Sequence, residues 1–137
     1  MKRKTLTILL ILTICFIWSN SILNREYSGE ESNWVLHIFD LLFGKGVFSG
    51  QFVRKLAHFT EFCALGMELY GLMRRYPLAV THALFVALSD ETIQYFSGRF
   101  PSVADVWLDW AGALFGALIV LLIKKRQSGK EPAEVQE

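Results

Sequence analysis

Apolar positions in this chain gather into long blocks divided by short polar stretches. Residues 5–18 read TLTILLILTICFIW, nearly unbroken apolar sequence behind Lys2, Arg3 and Lys4. A signal peptide also runs from basic to apolar, but this block ends in Ser19-Asn20-Ser21-Ile22-Leu23 with no A-x-A cleavage pattern. A retained membrane helix is therefore expected. Residues 24–50 open polar and turn apolar from Trp34 to Phe43, too short a run to cross a bilayer. There Asn33, His37, Asp40 and Gly44 recur at helical spacing opposite Trp34, Ile38, Leu41 and Leu42, which predicts a short amphipathic helix lying in the membrane interface. Gly44, Gly46 and Gly50 then interrupt the chain.

Three further blocks follow, over 51–73, 76–96 and 103–123. Each is long enough to span hydrocarbon at 1.5 Å per residue, although the first carries Arg54, Lys55, His58, Glu61 and Glu68. The expected fold is an all-α integral membrane protein with four transmembrane helices and an interfacial helix between the first and second. Residues 1–126 form its membrane domain and 127–137 a polar cytoplasmic tail.

Charge orients this arrangement. Lys2-Arg3-Lys4, Arg74-Arg75 and Lys124-Lys125-Arg126 flank successive blocks at alternate ends, so one placement puts all three clusters in the cytoplasm. A multi-pass protein of the cell membrane with both termini cytoplasmic is the expectation, with 24–50 and 97–102 outside. Composition changes little here: 53% of the 137 residues are hydrophobic, 20% are charged and the formal net charge is +1. That balance excludes the basic face of a nucleic-acid binder. Cys15 and Cys63 both lie in apolar blocks, as small hydrophobes rather than a disulfide.

The orientation gathers the ionisable residues at one depth. Arg54, Lys55, His58 and Glu61 fall in the outer half of the second long helix, Asp90, Glu91 and Gln94 at the outer end of the third, and Arg99 in the turn after it. Asp105 and Asp109 open the fourth, and they share a face with Gly112 and Gly116, where small residues let a neighbouring helix approach. A charge at mid-bilayer costs at least about 2.5 kcal/mol, so such residues should converge inside the bundle. Asp105, like Ser102, is also a candidate helix cap. Glu68 and His82 are expected to hydrogen-bond each other nearer the cytoplasmic side.

Mixed charge of this kind suits an anionic or zwitterionic ligand such as a phospholipid head or a lipid-linked envelope precursor. Arg54, Lys55 and Arg99 would meet phosphate, with Glu91, Gln94, Asp105 and Asp109 completing the binding set. His58, Glu61 and Asp90 would be the proton-transfer, and hence catalytic, candidates, with Arg99 pairing Glu61 or Asp90. No HExxH, histidine pair or cysteine pair is present, so neither a metal nor another cofactor is expected. Phosphate-loop, GxSxG and GxGxxG motifs are absent too. An alternative function is that of a non-catalytic subunit docking another membrane protein, or a second copy in a homodimer.

The ordered set Arg54-Lys55-x-x-His58-Phe59-x-Glu61-Phe62, Asp90-Glu91-x-x-Gln94-x-Phe96, Gly98-Arg99, Asp105-Val106 and Gly112-x-x-x-Gly116 resembles the VanZ-like family of small bacterial membrane proteins. The resemblance runs from the first helix to Val120. It implies a cell-envelope role in a Gram-positive bacterium, and a link to low-level teicoplanin resistance, with which the founding member is associated. It supplies no reaction. One position departs from the pattern: the family often has asparagine where this chain has Asp109.

Overall fold

A computed structural model describes residues 3–23, 30–98 and 102–128, with side chains left undescribed at 23 and 30–36. Within them the chain is all α, in five helices: α1 (Arg3–Leu23), α2 (Glu30–Phe43), α3 (Gly50–Met73), α4 (Tyr76–Phe96) and α5 (Val103–Ser128). The glycine break before α3 ends at Ser49, whose extended backbone lets its hydroxyl accept from the Phe52 N–H at 3.2 Å and cap the helix. Arg74 ends α3 in the left-handed region, φ 61°, and its N–H returns to the Tyr70 carbonyl at 3.0 Å. Pro77 lies in the first turn of α4, where its missing N–H has no helical role.

Small residues set how closely these helices pack. A Cβ on Gly116 would lie 1.9 Å from the Cys63 carbonyl oxygen, one on Gly112 2.4 Å from that of Phe59, and one on Gly66 2.0 Å from that of Ala113. The backbones of α3 and α5 thus touch at three successive levels, as the glycine spacing on α5 predicts. Ala79, Ala83 and Ala87 give α4 a fully buried small-residue stripe, and Ala113 and Ala117 continue the core on α5. Ile17, Phe62, Leu65 and Leu69 fill the space between them. Two aromatic side chains tie helices through backbone carbonyls: Trp110 Nε1 donates to Val80 at 2.9 Å and the Tyr76 hydroxyl to Leu114 at 3.2 Å.

Two expectations about the fold are corrected. Among the described residues only α1, over Arg3–Ile22, and α5, over Val103–Ser128, are long and apolar enough to cross a membrane; the other two blocks of the expected four are not. Both form helices of adequate length. Their polar content disqualifies them: Arg54, Lys55, His58, Glu61 and Glu68 in α3, and His82, Asp90, Glu91 and Gln94 in α4, lower the mean hydropathy. Nor is an interfacial helix identified. The α2 segment is helical, but what defines it is attachment to α3 through the aromatic chain Phe39, Phe43, Phe48 and Phe52, with ring centroids 5.1–5.9 Å apart.

Much of the outer surface is apolar. Ile8, Ile11, Leu12, Phe16 and Ile22 of α1, Phe85 and Leu88 of α4, and Phe115, Leu122 and Ile123 of α5 are all exposed, while Asp90, Glu91, Gln94 and Asp109 are buried. A water-soluble domain arranges these classes the other way round.

Candidate functional site

The end of α1, the start of α3, the end of α4 and the start of α5 meet at one end of the bundle. Away from that end Leu6, Arg74 and Lys124 line a common cavity, and the Lys124 ammonium sits 5.0 Å above the Tyr70 ring. One member each of the second and third basic clusters read from the sequence thus lie together, beside α1.

At the opposite end a cavity of about 220 Å³ is lined by Gln51, Arg54, Lys55, His58, Gln94, Asp105, Leu108 and Asp109. Helical spacing places the α3 contributors: Gln51, Arg54, Lys55 and His58 are three, one and three residues apart, so each lies three or four residues from two of the others and all share one side of the helix. Lys55 Nζ meets Asp105 Oδ1 at 2.8 Å on the rim, where the two side chains are 53% and 34% exposed. This contact raises the Lys55 pKa above its ordinary value, with the hydrogen bond to Asp105 the main cause and the carboxylate charge the next. Asp105 is in the first turn of α5, beyond the cap position, so its carboxylate is committed across the rim rather than to the helix end.

Deeper in, Asp109 is buried beside His58, with Oδ1 3.8 Å from Nδ1, beyond hydrogen-bond length. Asp90 has no exposed surface. Its Oδ1 accepts from the Ser21 hydroxyl at 2.5 Å and its Oδ2 from Gln94 Nε2 at 2.7 Å. Donor atoms of His58, Asp90 and Asp109 lie within 4.8 Å of one another. Glu61 is one level further along α3 and accepts from Asn20 Nδ2 at 3.0 Å. Glu91 accepts from the Ser102 N–H and so pins the chain entering α5 to the end of α4.

The residues singled out from sequence accordingly divide by depth. Arg54, Lys55, His58, Gln94, Asp105 and Asp109 share the cavity, Asp90 lies behind His58 and Asp109, and Glu61 and Glu91 stand to either side. Arg99 lies outside the described residues, as does its expected pairing; the described partners of Glu61 and Asp90 are Asn20, Ser21 and Gln94. Glu68 and His82 do not bond each other. Glu68 accepts from Thr13 at 3.0 Å, and His82 Nδ1 stays 2.8 Å from the Leu78 carbonyl on its own exposed helix face.

The contribution of α1 is missing from the sequence reading. Thr13, Ile17, Asn20 and Ser21 occupy one helical face, and the three polar members each meet a carboxylate of α3 or α4. Their spacing of four, three and one was the available signal, hidden because hydroxyls and one amide barely disturb an apolar run.

The family model for VanZ/LLP1 matches residues 6–124. The chain belongs to the VanZ/LLP1 family. No curated protein and no solved structure matches it. Together with its two apolar helices, this makes the chain a membrane-associated cell-envelope protein of the VanZ-like type. In this VanZ-like protein the matched region runs from within α1 to within α5 and includes every residue that lines the cavity between α3 and α5.

Proposed function

We propose that the cavity between α3 and α5 binds the phosphorylated head of a membrane lipid or of a lipid-linked envelope precursor. One observation carries this reading: the cavity places the cationic side chains Arg54 and Lys55 on its wall with proton-accepting groups, the half-buried His58 and the buried Asp109, beside them. Guanidinium and ammonium groups recognise phosphate oxygens, while an imidazole beside a carboxylate accepts or returns a proton. The apolar exterior leaves the acyl or polyprenyl portion of such a ligand in lipid while its head enters the cavity.

The basic end of the bundle orients the protein in this proposal. Arg74 and Lys124 face the cytoplasm, both termini lie on that side of a multi-pass protein, and the cavity opens to the outer leaflet. An influence on glycopeptide susceptibility would follow from a change in envelope lipid chemistry.

The test is native mass spectrometry of the purified protein in nanodiscs of defined composition, challenged with polyprenyl phosphate or phosphatidylglycerol against a neutral diacylglycerol. Retention of the phosphorylated species, and its loss in Arg54→Ala/Lys55→Ala, is the expected result. Equal retention of all three lipids would sink the reading. Co-purification of a discrete membrane protein that depends on Lys55 would favour the accessory-subunit alternative instead.

A further inference from the structure

Two buried carboxylates face one imidazole at the base of the cavity, and the described hydrogen bonds do not exhaust them. Asp90 has both oxygens oriented by donors, Ser21 on one and Gln94 on the other. Each carboxylate oxygen has two lone pairs, so both keep one for a further partner. The Asp109 side chain is 3% exposed, and its Oδ1 has no hydrogen-bond partner among the described residues although it is turned toward the His58 ring. An unpartnered buried oxygen of this kind is costly. The nearby ammonium of Lys55 does not relieve it, because its ion pair is with Asp105 on the rim.

We infer that His58, Asp90 and Asp109 bind a divalent transition-metal cation. The donor set is one imidazole nitrogen and two carboxylates, contributed by three different helices, with donor atoms within 4.8 Å of one another. An ion such as Zn²⁺ held at about 2.0–2.2 Å from each donor needs them roughly 3–4 Å apart, so small rotations of the side chains close the set. One nitrogen among oxygens favours Zn²⁺, Mn²⁺, Fe²⁺ or Co²⁺ over Ca²⁺ and Mg²⁺, which take all-oxygen shells. A doubly charged ion would balance the charge of the two carboxylates. Ser21 and Gln94 orient Asp90 from behind, the usual task of groups that support a ligating carboxylate.

This inference names a cofactor for the pocket of the proposed function but does not need its lipid. His58 and Asp109 line the cavity together with Arg54 and Lys55, which would share a phosphate with the ion.

The experiment uses the full chain in nanodiscs, stripped with chelator and titrated with Co²⁺, whose visible absorption reports a mixed nitrogen and oxygen shell. One equivalent is expected to bind, with displacement by Zn²⁺. Affinity should fall at least tenfold in both Asp109→Asn and His58→Gln, and on the order of tenfold in Ser21→Ala, which leaves every ligand in place. His58 is 12% exposed, so His58→Gln carries the comparison if Asp109→Asn does not insert. Absent Co²⁺ binding, or binding undiminished by His58→Gln, overturns the inference. Phosphorylated lipid retained without a Co²⁺ signal ends the cation site alone, and a Co²⁺ signal without lipid selectivity ends the headgroup reading alone.

Discussion

Ser21, in the last turn of α1, donates its hydroxyl to Asp90 on α4 at 2.5 Å, with neither residue exposed at all. An apolar helix thereby supplies the donor that keeps a buried carboxylate on another helix solvated. Ser21→Ala should destabilise the protein by about 1–3 kcal/mol, because Asp90 Oδ1 would lose that donor inside the core. A double-mutant cycle with Asp90→Asn, read by unfolding in detergent, should return a coupling energy well above error. Simple additivity would show that the contact contributes nothing.

Gly116→Ala should cost more than the roughly 1–3 kcal/mol of ordinary overpacking, since its new methyl would meet the Cys63 carbonyl, which belongs to helix backbone and cannot rotate away. Gly50→Ala meets nothing within 4 Å and serves as the control. Size-exclusion profiles and thermal unfolding in the same detergent compare the two. Equal behaviour would mean that α3 and α5 are further apart than described.

The Lys55–Asp105 pair should matter to ligand and not to folding. Both groups are substantially exposed, and exposed pairs of this kind contribute little. Asp105→Ser should therefore insert with an unchanged melting temperature while binding of phosphorylated lipid changes. The pH dependence follows from sign. The Lys55 pKa is raised in the folded state, so the contribution of the pair is complete below the ordinary lysine value and is lost only as pH rises through the folded one. Melting temperatures of wild type and Lys55→Ala should thus run parallel across neutral pH. Divergence there would assign the pair a structural role.

Sidedness can be read by labelling. In a background lacking Cys15 and Cys63, both free thiols, cysteine at Lys45 or Ser97 should react with an impermeant reagent applied to intact cells. Cysteine at Arg75 or Ser128 should not. The reverse pattern would invert the proposed orientation and move the cavity to the cytoplasmic leaflet.

How far the sequence was legible depended on what each signal measures. Glycine at four-residue spacing on α5 stated a backbone contact outright, and α3 fills it. Charges on separate helices could be placed at one depth from helix length alone, but the expected set of His58, Glu61, Asp90 and Arg99 differs from the trio His58, Asp90 and Asp109 that the fold brings within 4.8 Å. Length misled on membrane crossing, because α3 and α4 are long helices whose polar residues fail the hydropathy test that α1 and α5 pass. The partners of Glu61, Glu68 and Asp90 on α1 were missed for a related reason. Serine and threonine are nearly silent in hydropathy, and a single asparagine at the end of an apolar run reads as its boundary, but all three are decisive as donors once their helix is packed.

The touching backbones of α3 and α5 have a mechanical consequence. Carbonyls lodged against glycines at three levels prevent these helices from sliding or rolling without first separating. Arg54, Lys55 and His58 on one, and Asp105 and Asp109 on the other, therefore travel together as a fixed jaw. Side-chain hydrogen bonds and alanine contacts, rather than backbone lodged on glycine, hold α1 and α4 to this pair, so Asp90, with Ser21 behind it, belongs to the opposite side of the grip. Any widening that admits a ligand should begin there, with the grip of Ser21 and Gln94 on Asp90 as its latch.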